Sequence, residues 1–125
     1  MWVVLSSRAN PSFIMVTTGL STVLVTFPDR TVADAIVSDL MEVRLIACAN
    51  LFPVESSYRW EGKVEHASEW VALLKIRDDD FQKVKERVID GHPYQVPCIV
   101  RYEIADGHPP YLEWIRASTA PPQGD

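Results

Sequence analysis

The sequence predicts an α+β domain in the order β-α-β-β-α-β: a four-stranded antiparallel sheet with both long helices on one face, followed by a short C-terminal helix. Three observations carry this expectation. Residues 29–44 and 79–91 place apolar side chains at helical spacing. Two long extended segments meet at Glu61-Gly62, a tight hairpin signal. Both helices are amphipathic, and the economical way to bury both stripes is against one side of one sheet.

Each element has its own signal. Ser21–Phe27 (STVLVTF) is short and rich in β-branched residues, so it reads as the first strand. Asp29 suits a helix N-cap, and Val32, Ala33, Ile36, Val37, Leu40 and Val43 form an apolar stripe to about Arg44. Ala47–Trp60 is extended and contains Pro53, which cannot donate to a ladder and so marks an edge or a bulge. Lys63–Arg77 returns as a second long strand. It is apolar on both sides for part of its length, which suits a central place in the sheet. Asp79 with Gln82 resembles a capping box ahead of Phe81, Val84 and Val88. Gly91 and Pro93 end that helix. Pro97–Ile104 is the fourth strand, and Pro109-Pro110 opens a last helix over Tyr111–Ser118.

A length of 125 residues points to one domain, placed at 15–120, with 1–14 as an extension outside the core and 121–125 as a tail. The net charge of -5 and the absence of a basic patch argue against nucleic acid. No apolar run reaches the ~20 residues a membrane helix requires. The opening MWVVLSSRANPSF lacks the basic and apolar regions of a signal peptide, so the expected location is cytoplasmic. Cys48 and Cys98 form no CxxC pair and are read as two buried reduced thiols.

Unequal strand lengths predict an assembly. The second strand can span roughly 45 Å and the first roughly 23 Å, so half of the hairpin overhangs its own sheet. An isolated ribbon is marginal in water, and a long exposed edge is normally paired or blunted. Pairing with neighbouring copies in a closed ring satisfies the backbone and covers Tyr58, Trp60, Val64 and Trp70.

Several segments then carry a resemblance: Cys48-Ala49-Asn50-Leu51-Phe52-Pro53, Tyr58-Arg59-Trp60-Glu61-Gly62-Lys63-Val64-Glu65, Glu69-Trp70, His92-Pro93-Tyr94-Gln95-Val96-Pro97 and Tyr111-Leu112-Glu113-Trp114-Ile115. In this order, over residues 21–118, the chain resembles the CutA family of divalent-ion-tolerance proteins. The WEGK turn and the HPYQVP segment are specific in combination. The resemblance implies a ferredoxin-like fold, a tightly packed trimer similar in architecture to PII-type signalling proteins, and a role in tolerance to copper and other divalent cations. Metal-binding proposals for bacterial members draw on a cysteine in the first strand and a His-His pair before the PYQ segment. Here those positions read Val25 and Gly91-His92.

Candidate chemistry follows in three classes. For Cu(II) or another divalent cation, His92 and Cys48 are the leading donors, with His66, His108, Cys98, Glu65 and Glu69 as further ones. No tight ligand spacing joins them, and capping the preceding helix is an equal reading for His92. For a small ligand or anion at a subunit junction, Trp60, Lys63, Glu65, Lys75, Tyr94 and Trp114 mix charge with aromatic edges. Interchain ion pairs and packing explain the same residues. Catalysis has no support: the chain carries no GxSxG, P-loop, HExxH or dinucleotide fingerprint. The expectation is a non-enzymatic cytoplasmic trimer linked to divalent-cation tolerance. A PII-like or ACT-like ligand module acting through intersubunit clefts is the alternative.

Overall fold

Alternation along the first strand decides the layering. A computed structural model describes residues 17–121. In it β1 spans Leu20–Phe27, with Val23, Val25 and Phe27 fully buried on one side. After it come α1 (Arg30–Glu42), β2 (Cys48–Trp60), β3 (Lys63–Arg77), a 3-10 turn (Asp78–Asp80), α2 (Phe81–Gly91), β4 (Ile99–Glu103) and α3 (Pro109–Ser118). The four strands form one antiparallel sheet in the order β2-β3-β1-β4. This is the ferredoxin-like β-α-β-β-α-β arrangement, with β3 central and the Pro53-bearing strand at an edge as expected.

The register aligns Val23 with Leu74 and Val25 with Ala72. Those side chains share the face covered by Ala33, Ile36 and Leu40 of α1 and by Val84 and Val88 of α2. Each buried aliphatic side chain contributes about 1.5–3 kcal/mol, and this cluster is the main core. A smaller cluster of Leu20, Leu112 and Ile115 seats α3. The opposite face of the sheet carries Phe52, Val100 and Tyr102, all exposed in the single chain.

Asp29 caps α1: its carboxylate accepts the Val32 N–H at 2.9 Å. Replacing Asp29 with alanine is expected to cost about 1 kcal/mol, read as a lower urea midpoint with an unchanged slope. The hairpin loop places Glu61 at φ 51° and Gly62 at φ 82°, the left-handed pair that matches strand twist in a two-residue turn. β2 and β3 stay paired up to Trp60 opposite Lys63, whereas pairing of β1 with β3 stops at Phe27 opposite Trp70. Among the described residues Lys63–Glu69 thus have no strand on the β1 side, and roughly 20 Å of ribbon overhangs.

Several local expectations are corrected. α1 stops at Glu42, short of Arg44, because Arg44 turns to φ 62° and leaves the helical path. The Asp79–Gln82 capping box does not form; Asp78–Asp80 make a 3-10 turn without a side-chain cap. Asp78 is instead a tertiary partner: Ser21 donates to its carboxylate, and Arg101 donates to Ser21 at 2.7 Å and to Asp78 at 3.2 Å. β4 is shorter than 97–104, whereas α3 opens on Pro109-Pro110 as expected. The expected extension 1–14 and most of the expected tail lie outside the described residues.

Candidate functional site

The segment leaving α2 builds the site. Pro93 cannot continue the helix, and His92 turns inward, 9% exposed, against Phe27. The two rings stack with centroids 5.2 Å apart and planes 17° apart. His92 Nε2–H donates to the Thr26 carbonyl at 2.7 Å, and the Tyr94 N–H donates to His92 Nδ1 at 3.2 Å. Both ring nitrogens are therefore engaged within the chain. The Tyr94 ring lies 4.7 Å from the imidazole, and its hydroxyl donates to Glu69 Oε2 at 2.6 Å. Glu69 is itself buried, at 7% exposure. A relay thus runs from Phe27 through His92 and Tyr94 to a carboxylate on β3.

Burial pushes the Tyr94 phenol well above its ordinary range, and the bond to Glu69 with its negative charge pushes it the same way. The hydroxyl remains a donor throughout neutral pH. In the unfolded chain it ionises first, near pH 10, so the unfolded state binds fewer protons there and stability falls as pH rises further. Tyr94→Phe is expected to flatten that alkaline decline in a series of urea titrations between pH 8 and 11.

Beside this relay lies a cleft of about 570 Å³. Its lining includes Thr26, Tyr58, Trp60, Glu69, Tyr94 and Gln95. Alternation from the register puts Tyr58 and Trp60 of β2 on the same face as Glu69 of β3.

The six residues expected at a ligand cleft divide between two places. Trp60 and Tyr94 line this cavity, with Lys63 paired opposite Trp60 and Glu65 opposite Tyr58 toward the hairpin tip. Lys75 and Trp114 belong to the far end of the sheet. There Lys75 Nζ donates to Asn50 Oδ1 at 3.3 Å, and Trp114 stacks on Tyr111 at 5.5 Å. The Tyr111 hydroxyl meets Cys48 Sγ at 3.6 Å. Its pKa is pushed up to about 12 by that hydrogen bond and by burial.

The two leading metal donors are not brought together. Cys48 aligns with Lys75, which aligns with Thr22, whereas His92 bonds Thr26. Four residues of strand separate those positions, about 13 Å. Among the described residues no group of three or more His, Cys, Asp or Glu could hold a metal ion. His66 is exposed and bonds Ser57 Oγ at 2.9 Å through Nδ1, and His108 is exposed before α3. The thiols also differ from expectation: Cys48 is half-buried and Cys98 is exposed, because the 92–98 segment runs along the surface of the cleft.

Sequence reasoning named Glu69 only as a minor oxygen donor and gave Tyr58 and Thr26 no role in a site. One signal was available: Glu69 shares its strand parity with Val71 and Leu73, so a carboxylate continues an otherwise apolar side.

Among the described residues no helix is long and apolar enough to cross a membrane. The family model for the CutA1 divalent ion tolerance protein matches residues 21–118. The divalent-cation tolerance protein CutA of Pyrococcus horikoshii is 44% identical over 97 residues, which cover 78% of this chain and 95% of that protein. Its counterpart in Thermus thermophilus is 46% identical over 98 residues, covering 78% and 95%. The solved Thermus structure superposes with a TM-score of 0.78 at 44% identity, covering 81% of this chain and 99% of that one. The Archaeoglobus fulgidus structure, described as a periplasmic divalent cation tolerance protein, superposes at 0.79 with 35% identity and the same coverage. By the extent of the family match and the identity to these relatives, the chain belongs to the CutA1 divalent ion tolerance protein family.

Proposed function

We propose that the protein serves tolerance to copper and other divalent cations as a cyclic homotrimer in the cytoplasm, without catalysing a reaction. The observation that carries the assembly is the overhanging ribbon: among the described residues Lys63–Glu69 lack a strand on one side while Tyr58, Trp60 and Val64 stand exposed. Unpaired edges and exposed aromatics of this extent are covered when neighbouring copies close a ring. Divalent-cation tolerance is what the relatives' names say of them, and free cysteines fit a reducing compartment. Metal contact in this reading is weak and supplied across subunits: Cys48 is one donor candidate, and His92 becomes the other by giving up its bond to Thr26 or to Tyr94.

Sedimentation equilibrium at micromolar concentration tests the assembly. The expected species has three times the 14.1 kDa chain mass, and a folded single subunit would sink the proposal. Cells lacking the gene are expected to grow poorly in elevated Cu(II) and to recover with the intact gene. Equal growth with and without it would remove the tolerance role while leaving the assembly standing.

A further inference from the structure

We infer that the cleft beside Tyr94 is a binding site for a small organic ammonium ion, with Glu69 as its counter-charge. Glu69 is 93% removed from solvent as a residue, by its 7% exposure, yet belongs to none of the ion pairs formed among the described residues. Its one side-chain hydrogen bond there comes from the Tyr94 hydroxyl to Oε2. A buried carboxylate held by one neutral donor carries a desolvation cost that a cation would offset. Arg59 lines the same cleft, and none of the ion pairs among the described residues joins it to Glu69.

The walls specify the kind of cation. Tyr58, Trp60 and Tyr94 line the cleft together with Glu69, and aromatic faces attract alkylammonium groups within about 6 Å of the ring. A bare divalent ion fits poorly, since Mg²⁺ and Ca²⁺ take about six or more oxygen ligands and Glu69 is the cleft's lone carboxylate among its lining residues. An anion would face Glu69 directly. The volume of about 570 Å³ falls within the roughly 300–1,000 Å³ of small-molecule sites. His92 is a positioning residue here, since its Nδ1 and ring hold Tyr94 against Glu69.

The lining residues belong to one chain, but Tyr58 and Trp60 also stand on the ribbon that meets neighbouring copies in the proposed ring, so sedimentation of the same sample is read beside the titration. The rival occupant is a Lys or Arg of a neighbouring copy seated on Glu69. Calorimetric titration of the full-length protein, as it assembles in solution, with tetramethylammonium chloride separates the two, using sodium chloride at equal ionic strength as control. The expected result is saturable binding of one ion per chain, weakened at least about tenfold by Glu69→Gln and about fivefold by Trp60→Ala. Absence of saturable binding to the wild-type protein overturns the inference and favours the neighbour's cation. Binding unchanged by Glu69→Gln also overturns it. Should Glu69→Gln fail to fold, Trp60→Ala, on the exposed ribbon, decides in its place, and unchanged binding there is equally adverse.

Discussion

Replacing His92 with alanine is expected to lower stability by about 3 kcal/mol, measured by urea unfolding at a fixed chain concentration. The magnitude comes from three losses at one buried place. The Thr26 carbonyl loses the donor on Nε2, and an orphaned buried acceptor costs about 1–3 kcal/mol. The stack on Phe27 disappears, worth about 0.5–1.5 kcal/mol. A void also opens under the start of the 92–98 segment, and the Tyr94 N–H loses its acceptor. An exposed histidine acting only as a metal donor would leave the unfolding midpoint within about 0.5 kcal/mol. The two roles therefore separate in one experiment. A variant that loses Cu(II) uptake at an unchanged midpoint would return His92 to the metal reading. Fixed concentration matters because an oligomer's apparent stability follows mass action.

The fold was legible because its signals are local and repeated. Apolar spacing in α1 and α2, the Glu61-Gly62 turn and the β-branched run of β1 each specify an element without outside help. The central place of β3 followed from its two apolar sides, and the edge place of β2 from Pro53. The details that failed depend on long-range partners. Asp79 and Gln82 have the spacing of a capping box, yet the turn tightens into a 3-10 helix while the adjacent Asp78 reaches Ser21 and Arg101 from two other strands. Periodicity is blind to such a competitor. The site was legible only in part for the same reason. Tyr94 and Trp60 stood out by residue type, but their link to Glu69 spans 25 residues in the case of Tyr94. Lys75 and Trp114 looked similar in kind and belong elsewhere. Nothing in the spacing of His92 and Cys48 revealed that they lie four strand residues apart, one level with Thr26 and the other with Thr22.

Phe52→Glu is expected to dissolve the assembly while leaving the chain folded. Phe52 aligns with Val71 on the sheet face opposite α1 and α2, and it is 40% exposed in the single chain. A carboxylate there meets water if the subunit is alone, so the isolated fold bears little cost. In a closed ring that face has to be covered, together with Val100 and Tyr102 on the same side. Burying an unpaired charge at an apolar junction costs several kcal/mol. A loss of about 3 kcal/mol per contact weakens each association by about a hundredfold, and the ring repeats the penalty at every junction. Sedimentation velocity at micromolar concentration is expected to show mainly single chains, with circular dichroism retaining the mixed helix and strand signal. A variant that still sediments as the wild type would mean that this face lies outside the junctions, and the ribbon edge alone would then have to hold the copies together. Phe52→Leu supplies the control, since it keeps the face apolar and should keep the assembly.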